Sequence, residues 1–473
     1  MKTTFRSRHG VAGDARARPA RTARPFLVLL VLVALLSGCV ERVEIVQGGT
    51  GSGGTGPRGT DVDVAAANAN VIGGQDKSDG SVVSKYAGTK MSFGTIPAQA
   101  QKAAGGEPIR IGMINQENTP LGSFPELRLG AQAAVDFINT ELGGVDGRPV
   151  ELVPCITTFS VEKSRACAQE LVAKDVDVVT GGIDITSNGS IPVLEQNQMP
   201  YVGGIPINFD EMRSPISFQF SGGIPGAFTA FAYDAATRLK AKKVAVTYGD
   251  YASIKSAGVD YGVGTLKKLG VTDVADLPFP ITTTDFLPVL TKANEGNPDA
   301  IFLGAADTSC APAMKTAKEL HIEAKLYLVG ACLAPSIPAL IGEDAVDGRI
   351  FNIEGPKGND DPEAKIYFDI VAKYGDPQLP AASSATISFR DILNIYGAMK
   401  EIGPANVSPQ TIIDFFRKAK DRPSFTGHPY TCDGKQIPDL PALCAPQQLL
   451  VERKNQSIVP LGDWIDIPAI VRQ

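Results

Sequence analysis

The chain has 473 residues, 43% of them hydrophobic and 20% charged, with a formal net charge of −6. This is ordinary globular composition, long enough for about two or three domains. The acidic balance argues against nucleic acid and against an electrostatically held membrane surface as partners. It sharpens past residue 38, because the seven basic residues and one acid before Cys39 leave about −12 for the rest.

Lys2, Arg6, Arg8, Arg16, Arg18, Arg21 and Arg24, opposed only by Asp14, precede an unbroken apolar run over 26–36. That run suits the hydrophobic part of a secretory leader, whereas a spanning helix needs ~20 apolar residues. Leu36-Ser37-Gly38-Cys39 closes it and reads as a lipobox, in which Cys39 is lipidated and becomes the new N-terminus. An uncleaved signal anchor is the competing reading, disfavoured by the shortness of the run. The expectation is an extracytoplasmic chain held to the outer face of the cell membrane by a lipid. Residues 39–107 are rich in Gly, Ala, Ser and Thr, with glycines at 48, 49, 51, 53, 54 and 56. Such a stretch buries too little apolar area to offset chain entropy and reads as a flexible tether, part of which (82–96) could pack on the next domain.

From Pro108 a regular pattern begins. A strand is predicted over 109–114 and a helix over 126–142, with Ala131, Ala134, Val135, Ile138 and Leu142 on one face and Gly143-Gly144 as its stop. Strand 150–154, helix 161–174, strand 176–180, helix 190–198 and strand 201–202 follow. The βαβα alternation implies a doubly wound parallel sheet. It then restarts: helix 226–239, strand 243–248, helix 253–269, helix 283–293, strand 300–303, helix 311–320 and strand 325–329. Two α/β lobes in tandem result. Helices 361–374, 384–403 and 408–419 and a strand pair at 448–451 and 458–460 complete the chain.

Seven cysteines are present: Cys39, Cys155, Cys167, Cys310, Cys332, Cys432 and Cys444. Setting aside Cys39 leaves an even number, which outside the cytoplasm points to disulfides. Proximity favours Cys155–Cys167, Cys310–Cys332 and Cys432–Cys444. Metal ligation is weakly supported, with no C-x-x-C and only His9, His321 and His428.

Ile109-Arg110-Ile111-Gly112, Pro120-Leu121-Gly122, the run from Gly130 to Asn139 (GAQAAVDFIN) and the run from Gly143 to Leu152 (GGVDGRPVEL) form a specific pattern, with Val176-Asp177-Val178-Val179-Thr180-Gly181-Gly182 and Pro298-Asp299-Ala300-Ile301-Phe302-Leu303-Gly304 as weaker support. On these residues the chain over 108–470 resembles the substrate-binding proteins of branched-chain amino acid ABC transporters, the Leu/Ile/Val-binding family with the type I periplasmic binding protein fold. The resemblance implies two lobes joined by three hinge crossings and closing over a ligand. Lobe 1 would hold 108–222 and 354–428, and lobe 2 would hold 223–353 and 429–473. It also implies a small-molecule ligand, an ABC permease as partner, no cofactor and a monomer.

Ligands of open α/β sheets sit beyond the C-terminal ends of strands. Those loops are 116–124, 181–188 and 203–208 in lobe 1, and 248–251, 304–310 and 330–336 in lobe 2. Thr186 and Ser187, before a helix, suit a carboxylate; a plain N-cap is the alternative. Asp307 could meet an ammonium or cap the helix that follows. Tyr248 and Tyr251 could stack on or cover a ligand, Phe124 could wall the pocket, and Gln116 and Asn208 complete the candidate set. Two departures from the family pattern stand out. Gly203-Gly204-Ile205-Pro206-Ile207-Asn208 replaces an Ala/Ser-Thr pattern, and Ile183-Asp184-Ile185 replaces small hydroxyl residues. If Asp184 faces the cleft it repels a carboxylate, so amides, urea-type compounds, other amino acids and aromatic acids stay open beside leucine-like ligands. A receptor without a transport role is the competing function. An enzyme is not supported: there is no triad-like set, H-E-x-x-H, P-loop or G-x-G-x-x-G, and Gly262-Val263-Gly264 lies within a helical pattern.

Overall fold

The computed structural model of the protein describes residues 80–355 and 361–473. The leader, Cys39 and the tether up to residue 79 lie outside the described residues. Strands β1 (Lys90–Met91) and β2 (Gly94–Thr95) form a small hairpin. The first large sheet contains β3 (Ile109–Gln116), β4 (Val150–Thr157), β5 (Val178–Gly181), β6 (Tyr201–Val202) and β7 (Ser217–Phe218), all parallel, in the order β4-β3-β5-β6-β7. The second contains β8 (Lys243–Gly249), β9 (Asp273–Phe279), β10 (Ala300–Gly304), β11 (Lys325–Leu328), β12 (Ile350–Ile353), β13 (Leu449–Lys454) and β14 (Ser457–Pro460). Its order is β14-β13-β12-β11-β10-β8-β9, parallel from β9 to β12 and antiparallel at β12-β13-β14. Each sheet reverses direction beside its first strand, β3 or β8, and such a switch point opens a crevice at the strand C-termini.

The two-layer burial is visible residue by residue. Val244, Val246 and Tyr248 point into one core of the second lobe while Ala245 points into the other; Phe302 and Tyr327 join the first set, and Ile301, Leu303, Leu326 and Leu328 the second. Period-2 alternation in which both faces are apolar means helices cover both sides of the sheet. In the first lobe, Ile111, Met113, Leu127 and Ile138 share a core with Phe389, Ile392, Met399, Ile412 and Phe416. The helices Ala385–Ile402 and Pro409–Arg417 therefore return to the first lobe after the second sheet is built. The chain passes between the lobes three times, at Ser221-Gly222, at Glu354-Gly355 and at Pro446 to Gln448.

Several elements were not legible in the sequence. Strand β9 carries Asp273 and Asp276 and lies at a sheet edge, so its apolar alternation is broken. Strands β7 and β12 are too short to show a period. The helix expected over 253–269 is interrupted: Ala257–Val263 is a π-helix between Ala252–Ser256 and Gly264–Lys268. A Cβ at Gly258 would come within 2.3 Å of the Tyr248 ring, so a glycine there lets the helix seat on that ring. Residues 82–96, within the stretch read as a tether, form a helix (Val82–Tyr86) and the β1-β2 hairpin, with Val83 and Ile96 buried in the first-lobe core.

The six described cysteines pair as Cys155–Cys167, Cys310–Cys332 and Cys432–Cys444. Cys310 and Cys332 follow β10 and β11, so this bond ties two loops at the cleft end of the second sheet. Replacing both by Ala should lower stability by about 2–4 kcal/mol, seen as an earlier urea midpoint.

Candidate functional site

The β3 C-terminus builds the first cleft wall. The loop 117–124 folds back on the strand: the Phe124 N–H donates to the Gln116 carbonyl at 3.0 Å, and Gln116 Nε2 donates to the carbonyls of Leu121 and Gly122 at 3.2 and 3.1 Å. Gly122 holds a φ of +118°, and a Cβ there would meet the Phe124 ring at 2.9 Å, so only glycine closes this turn. Phe124 itself is buried at the helix start and packs in the first-lobe core. Gln116 is fully buried, and its Oε1 has no hydrogen-bond partner among the described residues.

The loop after β5 centres on Asp184, which is fully buried. Its carboxylate accepts from Thr157 Oγ1 (3.2 Å), Ser164 Oγ (2.6 Å), and the Thr186 hydroxyl (2.9 Å) and N–H (3.1 Å). Burial pushes its pKa up against these bonds. Asp184 is thus absorbed into the first lobe, and Thr186 spends its hydroxyl on it. Ser187 keeps a buried hydroxyl with no partner among the described residues. Asn208 is engaged as a cap: its Oδ1 accepts the Asp210 N–H at 3.1 Å, and Glu211 Oε2 accepts the Asn208 N–H at 3.0 Å.

The second lobe meets these loops directly. Tyr251 Oη donates to the Ile185 carbonyl at 3.2 Å, and its ring lies 5.8 Å from that of Phe159. Thr308 Oγ1 donates to the Pro120 carbonyl at 3.2 Å. Asp307, half-buried, lies beside the backbone N–H groups of Thr308 and Ser123, which draw its pKa down against burial, and its Oδ1 has no partner among the described residues. Burial pushes Asp307 up to about 6. Glu126, on the first turn of the helix Pro125–Glu141, is pushed up to about 8 by burial, then by the charges of Asp307 and Glu117. Glu117 is neutralised by Arg128, whose Nε and Nη2 donate at 2.8 and 3.0 Å.

The structure therefore sets Tyr251 and Asp307 of the second lobe against the loops after β5 and β3, while Gln116 and Phe124 lie behind the β3 loop within the first lobe. Tyr248 is a correction. Its side chain is fully buried in the second-lobe core, with Oη donating to Asp276, so it cannot stack on a ligand. The reason is Gly258, which draws a helix over the ring. Sequence reading missed Glu117, Glu126, Arg128 and Thr308. A charged residue on a helix first turn reads as a capping charge, and only the approach of the second lobe makes Glu126 a cleft residue. Among the described residues, no group of His, Cys, Asp and Glu is placed to hold a metal ion, and no helix is long and apolar enough to cross a membrane.

Comparison with known proteins agrees with this architecture. The family model described as "Periplasmic binding protein" matches residues 108–438. No curated protein sequence matches the chain. Among solved structures, the leucine binding protein LivK of Thermotoga maritima is similar at 21% identity, with a TM-score of 0.62 over 76% of this chain and 98% of that one. An ABC transporter solute binding protein of R. palustris, in complex with 4-hydroxybenzoate, has 21% identity and a TM-score of 0.64 over 78% and 100%. The branched-chain amino acid transporter substrate binding protein LivJ of Streptococcus pneumoniae, in complex with isoleucine, has 20% identity and a TM-score of 0.61 over 75% and 99%. These identities carry the fold, and the family match carries the class: the chain belongs to the periplasmic binding protein family, two-lobed solute binders rather than enzymes.

Proposed function

We propose that this chain, lipidated at Cys39, captures a small amine-bearing solute, an amino acid or a related compound, between its lobes and hands it to an ABC permease. In this reading lobe 1 is 108–222 with 354–446 and lobe 2 is 223–353 with 447–473, the boundary expected at 428 moving to the third crossing because Tyr430, Cys432, Cys444 and Ala445 pack in the first-lobe core, and ligand shifts the balance between open and closed forms. One observation carries it: Asp307 lies near enough to Glu126, on the facing lobe, for its charge to raise that carboxyl, and its Oδ1 has no partner among the described residues. A ligand ammonium relieves that repulsion only when the lobes close. The Ser187 hydroxyl, free of Asp184, offers a donor for a ligand carboxylate. Asp307, with Glu126 beside it, disfavours an aromatic acid without an amine, the type of ligand seen in the R. palustris neighbour. A leader ending in Leu36-Ser37-Gly38-Cys39 supports the lipid anchor.

The test is a thermal-shift screen of amino acids, amides and aromatic acids. At least one amine-bearing compound should stabilise the protein, by ~2.7 kcal/mol at a hundredfold excess over its Kd. Stabilisation by amine-free acids alone would overturn the reading.

A further inference from the structure

The segment ahead of the first lobe is clasped by it. Glu141, at the end of the helix Pro125–Glu141, is 1% exposed and gathers five donors. Three come from the segment: Ser81 Oγ at 2.7 Å, Val82 N–H at 3.2 Å and Val83 N–H at 2.8 Å. Two come from the helix Pro362–Tyr374: Lys373 Nζ and Tyr374 Oη, both at 2.6 Å. These bonds outweigh burial and hold the carboxyl down at about 2, so it stays ionised across the physiological range.

The grip continues along the segment. Tyr86 Oη donates to Asp369 at 2.7 Å, Lys85 pairs with the same carboxylate at 2.6 Å, and the Ser92 N–H donates to Glu363 at 2.6 Å. The Phe93 ring lies 5.8 Å from Phe425 and 6.4 Å from Tyr396. Farther on, the N–H groups of Gln101, Ala103 and Ala104 donate to the carbonyls of Glu141, Asn139 and Gly147. Every one of these partners belongs to the first lobe.

We infer that residues 80–104 are a strap that makes the first lobe the fixed body of the anchored protein, so that opening and closing swing the second lobe against it. The anchoring half rests on lipidation at Cys39 as proposed above; the strap stands without it. From residue 80 onward the described chain is fastened to the first lobe by a charged, fully bonded carboxylate. Charge-assisted bonds of this kind are roughly twice as strong as neutral ones.

The test uses paired spin labels in the full chain carrying Cys39→Ser, with Ser84→Cys combined with Lys163→Cys in the first lobe or Lys315→Cys in the second; all three positions are exposed. Without added solute, the 84–163 distance should be a single narrow population, and the 84–315 distance broader, because the empty protein samples open and closed forms. Glu141→Ala should at least double the 84–163 width while far-UV circular dichroism is kept; Glu141→Gln, which retains shape but loses charge, should give a smaller broadening. A broad 84–163 distribution in the parent chain, or widths unmoved by either substitution, would overturn the strap. An 84–315 distance as narrow as 84–163 would overturn the swinging second lobe. Failure of lipidation would appear separately, as an unmodified Cys39 in the intact mass of the unsubstituted chain.

Discussion

Asp307→Asn should weaken capture of the amine-bearing solute by ~30-fold or more, since truncating one partner of a buried, hydrogen-bonded charge pair costs about 2–5 kcal/mol and each 1.4 kcal/mol is tenfold. The substitution keeps the size, and the amide oxygen still faces the Thr308 and Ser123 N–H groups, so the fold should persist. A pH signature accompanies it. In the structure burial raises Asp307 to about 6 and Glu126 to about 8. For raised carboxyls the sign is fixed: their support for this contact between the lobes is complete below the ordinary carboxylate range and is lost as pH rises through about 6 and then about 8. A bound ammonium reverses this, because it favours the ionised Asp307. Affinity should therefore hold at pH 7 to 8 and fall as pH drops through about 6, and the fall near 6 should vanish in Asp307→Asn. Titration calorimetry at several pH values reads both effects; unchanged affinity in the variant would remove Asp307 from the site.

Glu354→Leu should destabilise the protein by about 3–5 kcal/mol, because it strands a buried cation. Glu354 lies on the second crossing and its carboxylate reaches the other two. It accepts from Ser221 Oγ and the Gly222 N–H at 2.9 Å on the first, and from Gln448 Nε2 on the third. Arg390, 2% exposed, stands 3.7 Å from the same carboxylate, donates Nη1 to the Glu354 carbonyl at 3.0 Å and leans on Asp391 at 3.4 Å. Burial pushes the Glu354 carboxyl up, and Arg390 opposes it. Asp391 is itself raised to about 7 by burial while it accepts the Gly204 N–H at 2.7 Å. One carboxylate thus binds together the three strands about which the lobes turn. Adding Arg390→Met to Glu354→Leu should recover much of the loss, since removing both members of a buried pair costs less than removing one. Urea unfolding of both variants decides it; a single variant within about 0.5 kcal/mol of the parent would show the pair to be dispensable.

How much could be read beforehand follows from physical locality. Strands β3, β5, β8, β10 and β11 are buried on both faces, so their sequences are apolar runs that announce themselves. Edge strand β9 is half wet and does not. The loops that form the cleft followed from topology alone, as strand C-termini at a switch point. The side chains within them did not. Thr186 looked available until Thr157, Ser164 and Asp184, spread over thirty positions of sequence, were found to share one buried network. Tyr248 looked exposed at a strand end until Gly258 brought a helix onto it. Glu126 and Asp307 gain their meaning from each other across the cleft, a relation that no local pattern encodes.

Small-angle X-ray scattering, with and without the solute giving the largest thermal shift, tests the claim that ligand draws the two lobes together. The predicted result is a smaller radius of gyration at saturation, abolished in Asp307→Asn at the same solute concentration. Scattering that stays unchanged while calorimetry shows the site filled would contradict it.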